Sequence, residues 1–137
     1  MITLLTGKKG SGKTKKLIEQ ANKAIETSKG CVVVIEKGLK LTYNISHKAR
    51  LVDSDAYLIE SVASLYGFVS GICAGNYDVT DILIDSTLKI VNSDTGAVEV
   101  LVNEFKKISA IANVNIVLSV SASDDEVPSS LHEYILK

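Results

Sequence analysis

Gly7-Lys8-Lys9-Gly10-Ser11-Gly12-Lys13-Thr14 is the stretch from which the rest of the chain can be read. It satisfies the spacing G-x-x-x-x-G-K-[ST] at every fixed position. Before it, Ile2-Thr3-Leu4-Leu5-Thr6 has the composition of a short buried strand. After it, Lys15 to Ser28 carries the period of an amphipathic helix. Glycines at 7, 10 and 12 let the backbone fold back so that successive N–H groups point inward. Such donors, with a helix N-terminus behind them, suit the α- and β-phosphates of a nucleotide. Lys13 then reaches the β- and γ-phosphates, and the Thr14 hydroxyl ligates Mg²⁺. The alternative is a glycine-rich strand-to-helix turn that binds nothing.

Working outward, the first helix carries Leu17, Ile18, Ala21, Ala24 and Ile25 on one face, and Gly30 is placed to close it as a C′ residue. Cys31-Val32-Val33-Val34-Ile35-Glu36 is a continuous run of the kind that a parallel strand covered on both faces needs. Leu41-Thr42-Tyr43-Asn44-Ile45 and Ala49-Arg50-Leu51-Val52-Asp53 read as a small β-hairpin inserted around Ser46-His47-Lys48. Asp55 to Gly75 reads as a second helix, with Leu58, Val62, Leu65, Tyr66, Val69 and Cys73 inward. It also bears a small stripe, Ala63, Gly67, Gly71 and Gly75, which points to close approach by another backbone: the sheet, a neighbouring helix, or a second copy in a homodimer. Asp81-Ile82-Leu83-Ile84-Asp85 is a third core strand, Gly96 to Asn113 a third helix, and Asn115 to Val120 a fourth core strand. Pro128 precedes a last short helix that Ser129 can cap. The alternation predicts one α/β domain over residues 1–137, a mostly parallel sheet with helices on both faces.

Ligands of such sheets bind at the carboxyl ends of the strands. That selects Gly7 to Thr14, Glu36, Asp85 with Ser86, and Ser119 with Ser121. Asp85 ends an apolar strand and is the candidate second holder of Mg²⁺; Asp81 begins the same strand and so lies at the wrong end. Ser86 follows Asp85 and supplies only a hydroxyl, so Glu36 is the candidate for the carboxylate that orients water. The alternative is that Glu36 pairs with Lys37 or Lys40, or solvates the strand end. Arg50 is the sole arginine, either a solvated residue or a cation supplied across an interface.

The bulk numbers narrow the classes. The chain has 137 residues, 46% of them hydrophobic, and a formal net charge of −1, which gives no reason to propose nucleic acid. Cys31 and Cys73 cannot build a four-ligand zinc site, and His47 has no Cys or His neighbour at ligand spacing. The longest uncharged run lies between Glu60 and Asp78 and is shorter than the ~20 apolar residues of a membrane span. Met1 is followed at once by the first strand, so a cytoplasmic protein without a targeting peptide is expected.

The strand–loop–helix start and the Asp85 strand resemble the P-loop NTPase superfamily. Residues 7–14 would be its Walker A loop and Asp85 its Walker B aspartate. Glu36 resembles the Glu of the recombinase-like (RecA-type) division, where it activates water. The whole chain is similar to a group of small uncharacterised bacterial ATP-binding proteins, some labelled twitching-motility or pilus-retraction ATPases, although it lacks the length for the further domain of retraction motors. Lys8 matches the signature lysine of the partition and septum-site ATPases, which acts across a dimer, but Lys9 stands where they carry Gly. Thymidine-kinase-type enzymes share the layout through Glu36 and Asp85. They place a Glu where Ser86 stands and carry a cysteine zinc site for which two cysteines do not suffice. The resemblance implies ATP (or GTP) binding with Mg²⁺ and slow hydrolysis, with Lys13 and Glu36 catalytic. The alternatives are a nucleoside or nucleotide kinase, and a non-catalytic nucleotide-dependent switch whose output is an interaction with a partner protein.

Overall fold

Five apolar runs form strands: β1 (Ile2–Gly7), β2 (Cys31–Glu36), β3 (Arg50–Asp53), β4 (Val79–Ile84) and β5 (Asn115–Ser121). The structure, a computed structural model, describes residues 1–41 and 44–136. The strands pair in the order β1-β5-β4-β2-β3, every pair parallel. Parallel neighbours need crossovers. Helices α1 (Lys13–Thr27), α2 (Val62–Gly75) and α4 (Gly96–Ala112) supply three of the four, residues 37–49 link β2 to β3 with no helix among the described residues, and a single turn, α3 (Thr87–Ile90), follows β4.

Alternate residues of a strand face opposite sides, and here each side has its own core. Leu5, Val32, Val34, Leu83 and Val117 pack against Leu17, Ala21 and Ala24 of α1. Leu4, Val33, Ile35, Ile82, Ile84, Ile116 and Leu118 pack against α2 and α4 through Leu65, Val69, Leu101, Val102 and Phe105. Helices therefore cover both faces, as the unbroken apolar runs predict. After β5 the chain makes two 3₁₀ turns, Asp124–Glu126 and Ser129–Tyr134, and runs back along β1, where the Leu136 N–H donates to the Leu4 carbonyl at 2.9 Å. The Met1 amino group donates to Ser109 Oγ at 2.7 Å, tying the start of β1 to the end of α4.

Several expectations change. The hairpin does not form: Arg50–Asp53 pairs in parallel with Val33–Glu36 as the edge strand of the main sheet. Of its other expected arm, Thr42 and Tyr43 lie outside the described residues, while the Asn44 and Ile45 N–H groups turn back to the Leu41 carbonyl. Helix α2 starts at Val62, not Asp55, because Ser61 and Ser64 form a reciprocal capping box there: Ser64 N donates to Ser61 Oγ at 3.1 Å and Ser61 N to Ser64 Oγ at 2.9 Å. Gly30 is not a left-handed cap. A Cβ there would strike the Asp78 carbonyl, next to which Cys31 N donates to that same oxygen at 2.7 Å. The last helix is a 3₁₀ turn with Pro128, not Ser129, at its N-cap position. A methyl at Gly67, Gly71 or Gly75 would meet no neighbouring atom within 4 Å, so within the chain this stripe serves no close packing. No helix among the described residues is long and apolar enough to cross a membrane.

Candidate functional site

Because all five strands are parallel, their carboxyl ends share one edge of the sheet. The loop after β1 is there, and its glycines carry the conformations that the motif requires. Gly7, Gly10 and Gly12 have φ of 139°, 87° and 90°, a region that L side chains rarely adopt. The chain folds back so tightly that a Cβ on Gly7 would collide with the Ser11 side chain. Ser11 N donates to the Lys8 carbonyl at 3.0 Å, and Gly12 serves as N-cap of α1. No acidic residue lies in the first turn of α1. Lys13, Thr14, Lys15 and Lys16 stand there instead, at the positive end of the helix dipole, an arrangement that an anion would relieve. Lys8, Lys9, Gly10, Ser11, Gly12 and Thr14 are exposed, whereas Lys13 is 9% exposed.

The strand register sets the rest. Ile84 pairs with Ile35 and with Leu118, and Glu36 pairs with Asp53. One residue past Ile84, Asp85 N continues the ladder to the Ile35 carbonyl at 2.9 Å. Ser119, Asp85, Glu36 and Asp53 thus form a polar row across β5, β4, β2 and β3, with strands ~4.8 Å apart. By alternation the row faces the α1 side, beyond Val117, Leu83, Val34 and Leu51. Three of its members are nearly dry: Ser119 is 1%, Glu36 2% and Asp85 8% exposed.

Burial lowers the pKa of Lys13, the Asp85 carboxylate offsets part of that, and the Lys89 ammonium lowers it further. Lys13 Nζ also donates to the Lys8 carbonyl at 3.4 Å. Burial raises the pKa of Glu36. The N–H groups of Leu41 (to Oε1, 3.2 Å) and Lys40 oppose this, while the charges of Asp85 and Asp53 add to it. The ion pair with Lys37 that sequence suggested for Glu36 is not made, since Lys37 Nζ bonds Asp55 Oδ1 at 2.7 Å. Asp85 Oδ2 lies 3.5 Å from Ser86 Oγ. Its Oδ1 is buried with no hydrogen-bond partner among the described residues.

That orphan oxygen is the test for Mg²⁺. A desolvated carboxylate oxygen lacking a donor is a hard ligand in search of a cation. No cluster of three or more His, Cys, Asp or Glu suited to a metal occurs among the described residues. The protein donor shown there is the Asp85 carboxylate, and so few protein ligands suit an ion that keeps several waters. The Asp85 carboxylate fits a largely hydrated Mg²⁺, not a metal held by protein alone.

Sequence reasoning missed three neighbours. Asp53 joins the row only because β3 pairs in parallel. Lys89 approaches through α3, whose signal was the Ser86-Thr87 pair ahead of Leu88. The turn at Asp124–Glu126 packs on the glycine loop, with Lys8 Nζ 3.6 Å from Glu126 Oε1, Thr6 Oγ1 bonded to Asp124 Oδ1, and Gly7 N donating to the Ala122 carbonyl at 2.7 Å. Hydrogen bonds from Ser123, and then the Lys8 charge, hold the Glu126 pKa below its ordinary value. Arg50, by contrast, opens β3 opposite Val33 and is exposed at the far end of the sheet. A cleft of about 340 Å³ lies beside α2 at that end, a second of about 520 Å³ runs along α2 and β3 from Arg50 to Tyr57, and neither touches the glycine loop. In comparisons with known proteins, no family matches the chain, and no curated protein matches it.

Proposed function

We propose that the chain is a P-loop NTPase-like domain that binds ATP or GTP with Mg²⁺ through residues 7–14, acts in the cytoplasm, and hydrolyses the nucleotide slowly. One observation carries this reading. A buried lysine, Lys13, stands at the mouth of a left-handed glycine loop, within electrostatic reach of an aspartate whose Oδ1 has no partner. Burying a cation and an unpaired carboxylate oxygen costs free energy in the empty protein. Phosphate against Lys13 and a cation against Asp85 would offset both costs at once.

In this proposal the loop N–H groups and Lys13 hold the phosphates, with Thr14 and Asp85 holding Mg²⁺. The ion would neutralise phosphate charge and orient the chain of phosphates. Glu36 is the carboxylate placed to take a proton from water as its oxygen bonds to the terminal phosphorus and the bond to the bridging oxygen breaks. A base whose pKa is raised toward neutrality suits that task. Calorimetry with Mg²⁺-ATP and Mg²⁺-GTP tests the binding. Lys13→Met keeps the aliphatic stem and removes the charge, so affinity should fall by tenfold or more, at about 1.4 kcal/mol per decade. Equal affinity in the variant would overturn the proposal.

A specific observation favours the switch as a second reading. Glu36 Oε1 is engaged by the Leu41 N–H, so this carboxyl also fixes the segment after β2, and that segment would respond to whatever occupies the site. Binding without turnover in the parent protein would select it.

A further inference from the structure

The larger cleft, of about 520 Å³, has β3 on one side and α2 on the other. Small-molecule sites span roughly 300–1,000 Å³. Its walls are apolar and aromatic. Val52 faces it from the strand, and Tyr57 and Phe68 line it as a stacked pair with ring centroids 6.2 Å apart. Gly71 and Gly75 of α2 line it too, and a Cβ on either would meet no atom within 4 Å. Glycine is disfavoured against alanine inside a helix, and no close packing within the chain compensates for these two. What their missing side chains provide is room in the cleft.

Arg50 is the only charged residue among those lining this space. It shares a strand face with Val52, which packs on the α2 side, so its side chain projects to that side. Asp53, the acid closest to it along β3, belongs to the other face, where its Oδ1 accepts from Gly38 N at 2.9 Å and from Asp55 N at 3.0 Å. Arg50 makes no ion pair among the described residues. The chain's one guanidinium thus stands without a counter-charge beside an apolar wall. We propose that this cleft binds a small organic carboxylate, with its head on Arg50 and an apolar body against Val52, Tyr57 and Phe68, over Gly71 and Gly75. One guanidinium balances one negative charge, and its planar fork matches a carboxylate through two parallel hydrogen bonds. The remaining walls carry no charge, so the body of the ligand must carry none either. The assignment does not depend on nucleotide binding, because the cleft does not touch the glycine loop.

The experiment is a two-dimensional NMR titration of the full chain, observed on backbone amides. The probes are phenylbutanoate and octanoate, each run beside its uncharged amide. Both carboxylates should shift the signals of Arg50, Tyr57, Phe68, Gly71 and Gly75 saturably, with Kd of about 1 mM or tighter. Loss of the charged hydrogen bonds predicts about tenfold weaker binding of the amides, and the same loss for the carboxylates in Arg50→Met, part of which Arg50→Lys should recover. Gly71→Leu puts a side chain into the cleft and should abolish the shifts. Gly67→Leu, one helical turn earlier and outside the cleft, should leave them. Melting temperature verifies that each variant folds. No saturable shift from either carboxylate up to about 10 mM, equal affinity for acid and amide, or equal loss from the two leucine variants would each overturn the proposal. So would cleft signals that move with protein concentration before any probe is added, because a second copy would then be the occupant.

Discussion

Glu36 shows how much a single side chain can reveal about a site. Its carboxyl is buried, so the folded protein holds its proton more tightly than the unfolded chain does, and its pKa lies above the ordinary 4.5. Above that raised value the folded state must bury a charge, which weakens it. As pH falls through the raised value toward the ordinary one, the penalty is relieved and ligand-free stability rises. Glu36→Gln preserves an acceptor for the Leu41 N–H and removes the charge. The variant should therefore melt higher than the parent near neutral pH and lose this component of the pH dependence, as thermal denaturation from pH 5 to 8 would show. If the carboxylate also serves as base, turnover in the same variant should fall by about 10²–10⁴. The sequence singled out the glycine loop because spacing is local, and Asp85 because it closes an apolar run. It did not disclose the Leu41 bond, the partner of Asp53 or the approach of Lys89. Each of these depends on where a distant segment comes to rest.

At the scale of elements, an apolar β-branched run declares that it is a strand but not which strand it joins. Leu51 and Val52 fit a hairpin as well as a sheet edge by composition alone. What decides is that Leu51 packs on the α1 side and Val52 on the α2 side, so the strand is covered on both faces. The stripe on α2 misled in a different way. Glycine spacing suggests contact, but Gly67 and Gly71 are exposed and open. Each sits at ordinary helical dihedrals, where alanine restricts the unfolded chain without strain. Gly67→Ala and Gly71→Ala should each raise stability by about 0.4–1 kcal/mol and combine additively in urea denaturation. Destabilisation, or a concentration-dependent loss of self-association, would mean instead that a second backbone rests on this face.

For the whole molecule, the parallel sheet separates two ends with different work. Every candidate site residue lies at the carboxyl end, while Arg50 and the smaller cleft beside α2 lie at the amino end. Arg50 precedes the last residue of its strand by three positions, roughly 10 Å at the rise of an extended chain. Arg50→Ala should accordingly leave Mg²⁺-nucleotide affinity within about twofold in a monomeric sample, as measured by the same calorimetry. A tenfold loss there would show that the two ends communicate.

The placement of β1 has a consequence for biosynthesis. This strand is made before the other four, yet its ladder partner is β5, at Asn115–Ser121, and its other side is closed by Ile135 and Leu136. A nascent chain would carry its glycine loop long before anything could hold it in shape. Pairing across such a separation carries a large loop-closure cost and is slow compared with local contacts. The glycine loop would therefore mature late, after β5 has left the ribosome, and any ligand that depends on its shape could be held only once synthesis had passed that point.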